Sequence, residues 1–416
     1  MGGTRVLQVV PYFEGAWGYG GIPRVAVILS AALARRGHRV TVCTTDACDS
    51  HTRLADEGRS GSRRRPWKPR AGHAGVEVRV FPNLSNQLAY RRQFFQPIGM
   101  RGWLRDHARD FDVAHIHGHH HLPGAMAAAA LRRAGVPYLV APNGTAPRTG
   151  RRGLAKSAFD RTLGRNVLRG ARGVIAVTEA ERAQLETQGV ARERIAILPN
   201  PVELAEFEGV VAPARPAEQG VRRVLYLGQL IPRKQVEVLV RAVAELPQTT
   251  LLEIAGNDGG SGPALQELVR RLGLSSRVHF AGLLRGPERL LALAAADVVA
   301  YAGRDEVFGL VPLESLLCGT PVVVADDCGC GEVVGRVGGG LAVPPGDPRA
   351  LARAIAAILE DPVGWRAAAR EAALVIRQRF ASDVVAALCE QVYEAAMQPA
   401  SRGADESQWW TRRLPA

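Results

Sequence analysis

The stretch Asp297-Val-Val-Ala-Tyr301 followed by Glu306-Val-Phe-Gly-Leu-Val-Pro-Leu-Glu314 and Ser-Leu-Leu-Cys-Gly319-Thr-Pro321-Val-Val-Val324 decides the fold of this chain. An apolar strand runs into a loop, the loop into a helix, and the helix into a second apolar strand. Pro312 suits a first helical turn, where its missing N–H costs nothing. Gly319 stops the helix, and Pro321 opens the next strand. This places Glu306 on an open loop at the strand's C-terminal end and Glu314 in the first helical turn. Backbone N–H groups of Phe308, Gly309 and Leu310 gather around them. Open α/β sheets bind ligands at that edge. Two carboxylates there suit a ligand rich in hydroxyls, and the N–H groups suit its negative charge.

The same alternation extends in both directions. Strands are expected at Arg5–Pro11, His38–Thr44, Val76–Phe81, Val113–Ile116, Tyr138–Ala141 and Val174–Val177. A second set is expected at Val224–Leu227, Leu251–Ala255, Val278–Ala281, Val298–Ala302 and Val322–Ala325. Helical segments such as 23–37, Gln235–Glu245 and Arg349–Leu359 lie between them. Alternating strands and helices imply two parallel sheets with right-handed crossovers. The expected domains are 1–205 and 206–380, then a helix at 381–398 and a tail at 399–416 that includes Trp409-Trp410. The hinge is expected at 203–221, with Pro213 and Pro216.

Of 416 residues, 47% are hydrophobic, enough for two cores. No stretch of eighteen apolar residues occurs, so no membrane-spanning helix is expected. The first residues run straight into a strand without a signal-peptide layout. Six cysteines without zinc spacing point to reduced thiols and a cytoplasmic protein. The net charge of +13 is uneven: residues 1–200 carry 31 Lys+Arg against 14 Asp+Glu. A basic first half fits an anionic partner. Nucleic-acid motifs are absent, which favours a membrane surface. Arg63, Arg64, Arg65, Trp67, Lys68 and Arg70 are the candidate contacts, with a solvated Arg-rich loop as the plain alternative.

Three further segments carry chemistry. Strand Val224–Leu227 leads through Gly228-Gln229-Leu-Ile-Pro to Arg233-Lys234, and Lys234 is one of only three lysines. Cations at a strand-to-helix junction suit a diphosphate. Gly18-Tyr-Gly20-Gly21-Ile-Pro23 lets backbone approach a diphosphate at a helix start. It lacks the spacing of a nicotinamide site. Residues 115–121 hold five histidines, a pattern that metal binding or an unremarkable surface would also explain. Asp110-Phe-Asp112 has a metal-binding form but opens an internal strand, where coincidence is the simpler account.

Glu-x7-Glu with its inner Phe-Gly-Leu and the Gly-Thr-Pro-Val-Val-Val continuation resembles the retaining glycosyltransferases of the GT-B fold, family 4. The resemblance runs from Val6 to about Phe380. It implies an α/β protein with two Rossmann-like parallel-sheet domains facing a central cleft. It implies transfer of a hexose-type sugar from a nucleotide sugar to a glycan or lipid-linked acceptor in cell-surface polysaccharide or glycolipid synthesis. The protein would be cytoplasmic, or peripheral at the inner face of the plasma membrane. No cofactor and no metal are implied.

By the same resemblance Glu306 holds sugar hydroxyls with the Phe308–Leu310 backbone, and Glu314 holds ribose hydroxyls. Arg233, Lys234, Gly228, Gly20 and Gly21 attend the diphosphate. The segment ending at Leu284 reads the base through its backbone. The Asp-Val-x-His-x-His form places His117 near the donor sugar and acceptor, with His119 as the fallback. Asn143 stands on the acceptor side, where many relatives have His. The last helix is implied to cross back onto the first domain. Gln229 replaces the family's usual arginine, and Arg233 is the residue that would supply its charge. This departure keeps two alternatives open: a sugar-nucleotide epimerase on the same double fold, and a binding relative without turnover.

Overall fold

The computed structural model describes residues 3–48, 52–54, 75–146, 153–211 and 220–398. The candidate membrane contacts Arg63, Arg64, Arg65, Trp67, Lys68 and Arg70 lie outside these residues. So do Pro213, Pro216 and the Trp409-Trp410 tail. No helix among the described residues is long and apolar enough to cross a membrane. The chain divides into two compact units, Met1–Pro201 with Ser382–Ala416, and Val202–Ala381.

In the first unit, strands β1 (Arg5–Val9), β2 (Arg39–Thr45), β3 (Val76–Phe81), β4 (Val113–His117), β5 (Tyr138–Ala141), β6 (Gly173–Ala176) and β7 (Ile195–Ile197) form one parallel sheet. Its order is β3-β2-β1-β4-β5-β6-β7. The strands are near-continuous apolar runs because both faces are covered. Val6, Val40, Val113 and Leu139 pack under helices Gly21–Arg35 and Ser382–Met397. Leu7, Val9, Ala114 and Val140 face helices Met100–His107 and Leu122–Ala134. The last helix, contributing Val385, Ala386, Cys389 and Tyr393, is thus part of this unit's core.

In the second unit, β8 (Arg222–Leu227), β9 (Thr250–Ala255), β10 (Val278–Gly282), β11 (Val298–Tyr301), β12 (Val322–Ala325) and β13 (Gly340–Val343) form a second parallel sheet. The order is β10-β9-β8-β11-β12-β13. Each sheet reverses its winding beside its first strand, between β1 and β4 and between β8 and β11. These are the crevices where such sheets take ligands.

Among the described residues, several elements were not foreseen, four of them in regular strands or long helices. β7 and β13 are edge strands of three and four residues. Helix Gly329–Val337 opens on Gly-Cys-Gly, which reads as a turn. Helix Pro362–Arg379 is half Ala and Arg and has little apolar periodicity. Asp112 does not point to a metal. It binds the Arg5 guanidinium at 2.6 Å and its backbone N–H at 2.8 Å, pinning the start of β1. None of the six cysteines is in a disulfide.

Candidate active site

The β8–β11 crevice brings three predicted residues together. β8 leads to the turn Pro232–Lys234 before helix Val236–Ala244. β11 leads through residues 302–309 to helix Leu310–Leu317. The two loops are tied by Arg304 N–H donating to the Arg233 carbonyl at 2.9 Å. Across them the Lys234 ammonium donates to the Glu306 carboxylate and to the Tyr301 hydroxyl. Arg233 Nη1 lies 3.5 Å from Glu306 Oε2 and 3.1 Å from the Asp305 carbonyl.

Glu306 is not on an open loop. Its side chain is 15% exposed and that of Lys234 8%, whereas Arg233 is 45% exposed. The loop folds inward because Val307 and Phe308 are core residues, and Phe308 packs edge-on against Phe380. The Glu306 carbonyl is fixed by Cys330 N–H at 2.7 Å. Burial would raise the Glu306 carboxyl, but Lys234 and Arg233 outweigh it and hold it below the ordinary range. The three side chains carry a net positive charge, and its outer member, Arg233, faces solvent. Such a group attracts an anion without needing one to fold.

Gly309 caps helix Leu310–Leu317 at φ +80°, and no side chain caps it. A Cβ at Gly309 would come within 2.5 Å of Cys330 Sγ. Only glycine therefore lets the chain turn here and leave the helix N-terminus open to a ligand. Glu314 departs from expectation. It is the fifth helical residue, beyond the first turn. It is buried against Arg289, whose other nitrogen binds Glu206 at 2.9 Å. Gly228 ends β8 with its N–H on the Ala255 carbonyl at 2.9 Å. Leu284 follows β10, partly exposed.

In the first unit, Gly20 sits at φ +102° between β1 and helix Gly21–Arg35, and Gly21 is exposed at the helix start. His117 ends β4 and is buried. Its Nε2 lies 2.6 Å from Gln8 Oε1, and Gln8 Nε2 donates to Tyr393 Oη at 2.9 Å. The Tyr393 hydroxyl also meets His115 Nδ1 at 3.0 Å. An amide oxygen only accepts, so Nε2 carries the hydrogen and Nδ1 is a lone pair. Nδ1 is buried with no hydrogen-bond partner in the structure. His117 lines a small pocket with Asn143, Pro199 and Asn200. Burial pushes its pKa down to about 3, so the ring is neutral. It can accept a proton-bearing hydroxyl but cannot act as a cation.

Asn143 takes a left-handed φ of +51° and donates to the Ala141 carbonyl at 3.1 Å. The loop is held by Glu181, which accepts from Gly144 N–H at 2.6 Å and Val177 N–H at 2.8 Å. Burial raises the Glu181 carboxyl to about 7. Tyr301, Gln8, Tyr393, Glu181 and Arg289 were all missed from sequence. Each acts through a partner distant in the chain, and only a buried polar residue within an apolar run hinted at them.

Two family patterns cover most of the chain: the Glycosyl transferase 4-like domain over residues 20–201, and Glycosyl transferases group 1 over residues 213–374. The D-inositol 3-phosphate glycosyltransferase of Kineococcus radiotolerans is 31% identical over 93% of each chain. This chain belongs to the group 1 glycosyltransferases of the GT-B fold. The namesake enzyme of Xylanimonas cellulosilytica is 30% identical over 91% of this chain and 92% of its own. Among solved structures, Anabaena Alr3699/HepE in complex with UDP-glucose superposes with a TM-score of 0.71 at 21% identity, covering 94% of this glycosyltransferase and all of that chain. The lipopolysaccharide-biosynthesis glycosyltransferase WaaG superposes at 0.62 and 18% identity, over 93% of this chain and 99% of its own. Both likenesses concern the fold.

Proposed function

We propose that this glycosyltransferase moves a hexose-type sugar from a nucleoside-diphosphate sugar to a glycan or lipid-linked acceptor, with retention and without a metal at the diphosphate. The observation that carries it is the convergence of Arg233, Lys234 and Glu306 at the β8–β11 crevice beside an uncapped helix N-terminus. Fixed cations and helix N–H groups stabilise a departing diphosphate as a metal ion would. The acceptor oxygen bonds to the anomeric carbon as the bond to the phosphate oxygen breaks on the same face. The acceptor proton passes to that phosphate oxygen and leaves with the nucleoside diphosphate. Glu306 orients Lys234 and accepts from sugar hydroxyls. Neutral His117 accepts a hydroxyl through Nδ1.

A panel of UDP-, GDP- and ADP-sugars tests the donor. One base class is expected to raise the thermal midpoint, because ligand at ~100 times its dissociation constant adds ~2.7 kcal/mol. No stabilisation by any of the three would remove the donor assignment. A second acceptor reading comes from the relatives named D-inositol 3-phosphate glycosyltransferases at 30–31% identity. On that reading the acceptor is a small phosphorylated polyol, and inositol phosphate belongs in the acceptor panel.

The membrane side of the proposal rests on the basic first half and on an exposed apolar stretch. Leu84, Leu88, Phe94 and Ile98 are 43–62% exposed beside exposed Arg91 and Arg92. Each Lys or Arg near an anionic surface contributes ~1 kcal/mol, falling with salt. The protein is expected to float with phosphatidylserine-containing vesicles at low salt and not with neutral ones. Neutralising Arg63, Arg64, Arg65, Lys68 and Arg70 should weaken this. Equal binding to both vesicle types, or none, would leave a soluble acceptor as the better account.

A further inference from the structure

The proposed transfer step uses neither His119 nor His120. They lie in the turn after β4, opposite Asp160, which begins the wide turn Asp160–Gly164. His119 Nε2 is 3.2 Å and His120 Nε2 3.0 Å from the same oxygen, Asp160 Oδ1. The three side chains are 2%, 7% and 9% exposed. One donor atom from each lies within 4.8 Å of the others.

Hydrogen placement assigns the donor atoms of this cluster. His120 Nδ1 is 3.0 Å from the Thr145 carbonyl. A carbonyl only accepts, so Nδ1 carries the hydrogen, and in a neutral ring Nε2 is then a lone pair. That lone pair faces a carboxylate oxygen, which is also an acceptor. The contact is stable only with a positive centre between the two atoms. The Thr145 segment is itself held in place: its carbonyl also accepts from Lys156 Nζ at 3.1 Å, and its hydroxyl accepts the His119 backbone N–H at 2.7 Å. Fixing one ring nitrogen so that the other points its lone pair at a common centre is how metal-binding histidines are oriented.

We propose that His119, His120 and Asp160 bind a borderline dication of the zinc class, leaving its fourth position open to water or a substrate oxygen. Ligands at 2.0–2.1 Å around a tetrahedral ion stand about 3.3 Å apart, close to the two nitrogen–oxygen separations seen here. Two imidazoles and one carboxylate suit zinc or cobalt rather than magnesium, which prefers oxygen ligands. The ion would tie the β4 turn to the Asp160 segment and steady the strand end that carries His117, since His121 Nε2 bonds the His117 carbonyl at 2.8 Å.

The full chain, stripped with chelator and dialysed, is titrated with Co2+ and Zn2+. One equivalent of Co2+ should give the visible absorption of a four-coordinate site, and Zn2+ should displace it and raise the thermal midpoint. His120→Gln and Asp160→Asn should each lower metal affinity by more than about tenfold, while His107→Gln on the surface should not. Should either variant fail to fold, the wild-type titration decides alone. Absence of saturable binding by wild type would overturn the proposal and leave a protonated histidine–aspartate pair. Binding unchanged in both folded variants would overturn it as well.

Discussion

Glu306→Gln is expected to lower kcat/KM by about tenfold to a hundredfold. A hydrogen bond to a charged group is worth about 1.5–3 kcal/mol, and each 1.4 kcal/mol is a factor of ten. The amide keeps the shape and one acceptor oxygen but loses the charge that balances Lys234 and Arg233. Because the carboxylate is largely buried, the substitution also leaves an ammonium less compensated inside the protein, and the thermal midpoint should fall. Kinetics are therefore read on the folded fraction, with kcat and KM for the donor taken separately. A stable variant with wild-type kcat/KM would remove Glu306 from the chemistry.

Arg289→Ala should cost about 3–5 kcal/mol of stability, the penalty for removing one partner of a buried ion pair. Glu314 is buried and engaged by this guanidinium, which also holds Glu206. Glu314→Gln in the Arg289→Ala background should recover part of the loss, because a neutral amide is cheaper to bury than a carboxylate. Denaturant unfolding of the single and double variants measures both effects. A single variant within about 0.5 kcal/mol of wild type would show that solvent already screens the pair.

The sheets were legible because strands buried on both faces are unbroken apolar runs bounded by glycine and proline. Edge strand β13 escaped because it opens on the last of three glycines, and β7 because only three residues follow the charged Arg192-Glu-Arg194. At the site, Lys234 stood out through the scarcity of lysine, and Glu306 through its motif. Their environment did not. The motif gives a loop, but whether a loop is open depends on where Val307 and Phe308 find a core. The support for His117 was equally hidden. Gln8 and Tyr393 meet through a bond spanning 385 residues, a contact that local pattern cannot encode. The histidine run was visible as a cluster, yet its third ligand candidate, Asp160, lies 40 residues from His120.

The central claim is that the Arg233–Lys234–Glu306 crevice supports retaining transfer from a sugar nucleotide. The direct measurement is NMR of the reaction with the stabilising donor and an acceptor panel of glycan, lipid-linked and inositol phosphate compounds, with and without Mg2+ or Mn2+. The account predicts a glycoside with the donor's anomeric configuration, one nucleoside diphosphate released per linkage, and a rate indifferent to the added ions. An inverted product, an epimerised free sugar formed without acceptor, or transfer that starts only when Mg2+ or Mn2+ is added would contradict it.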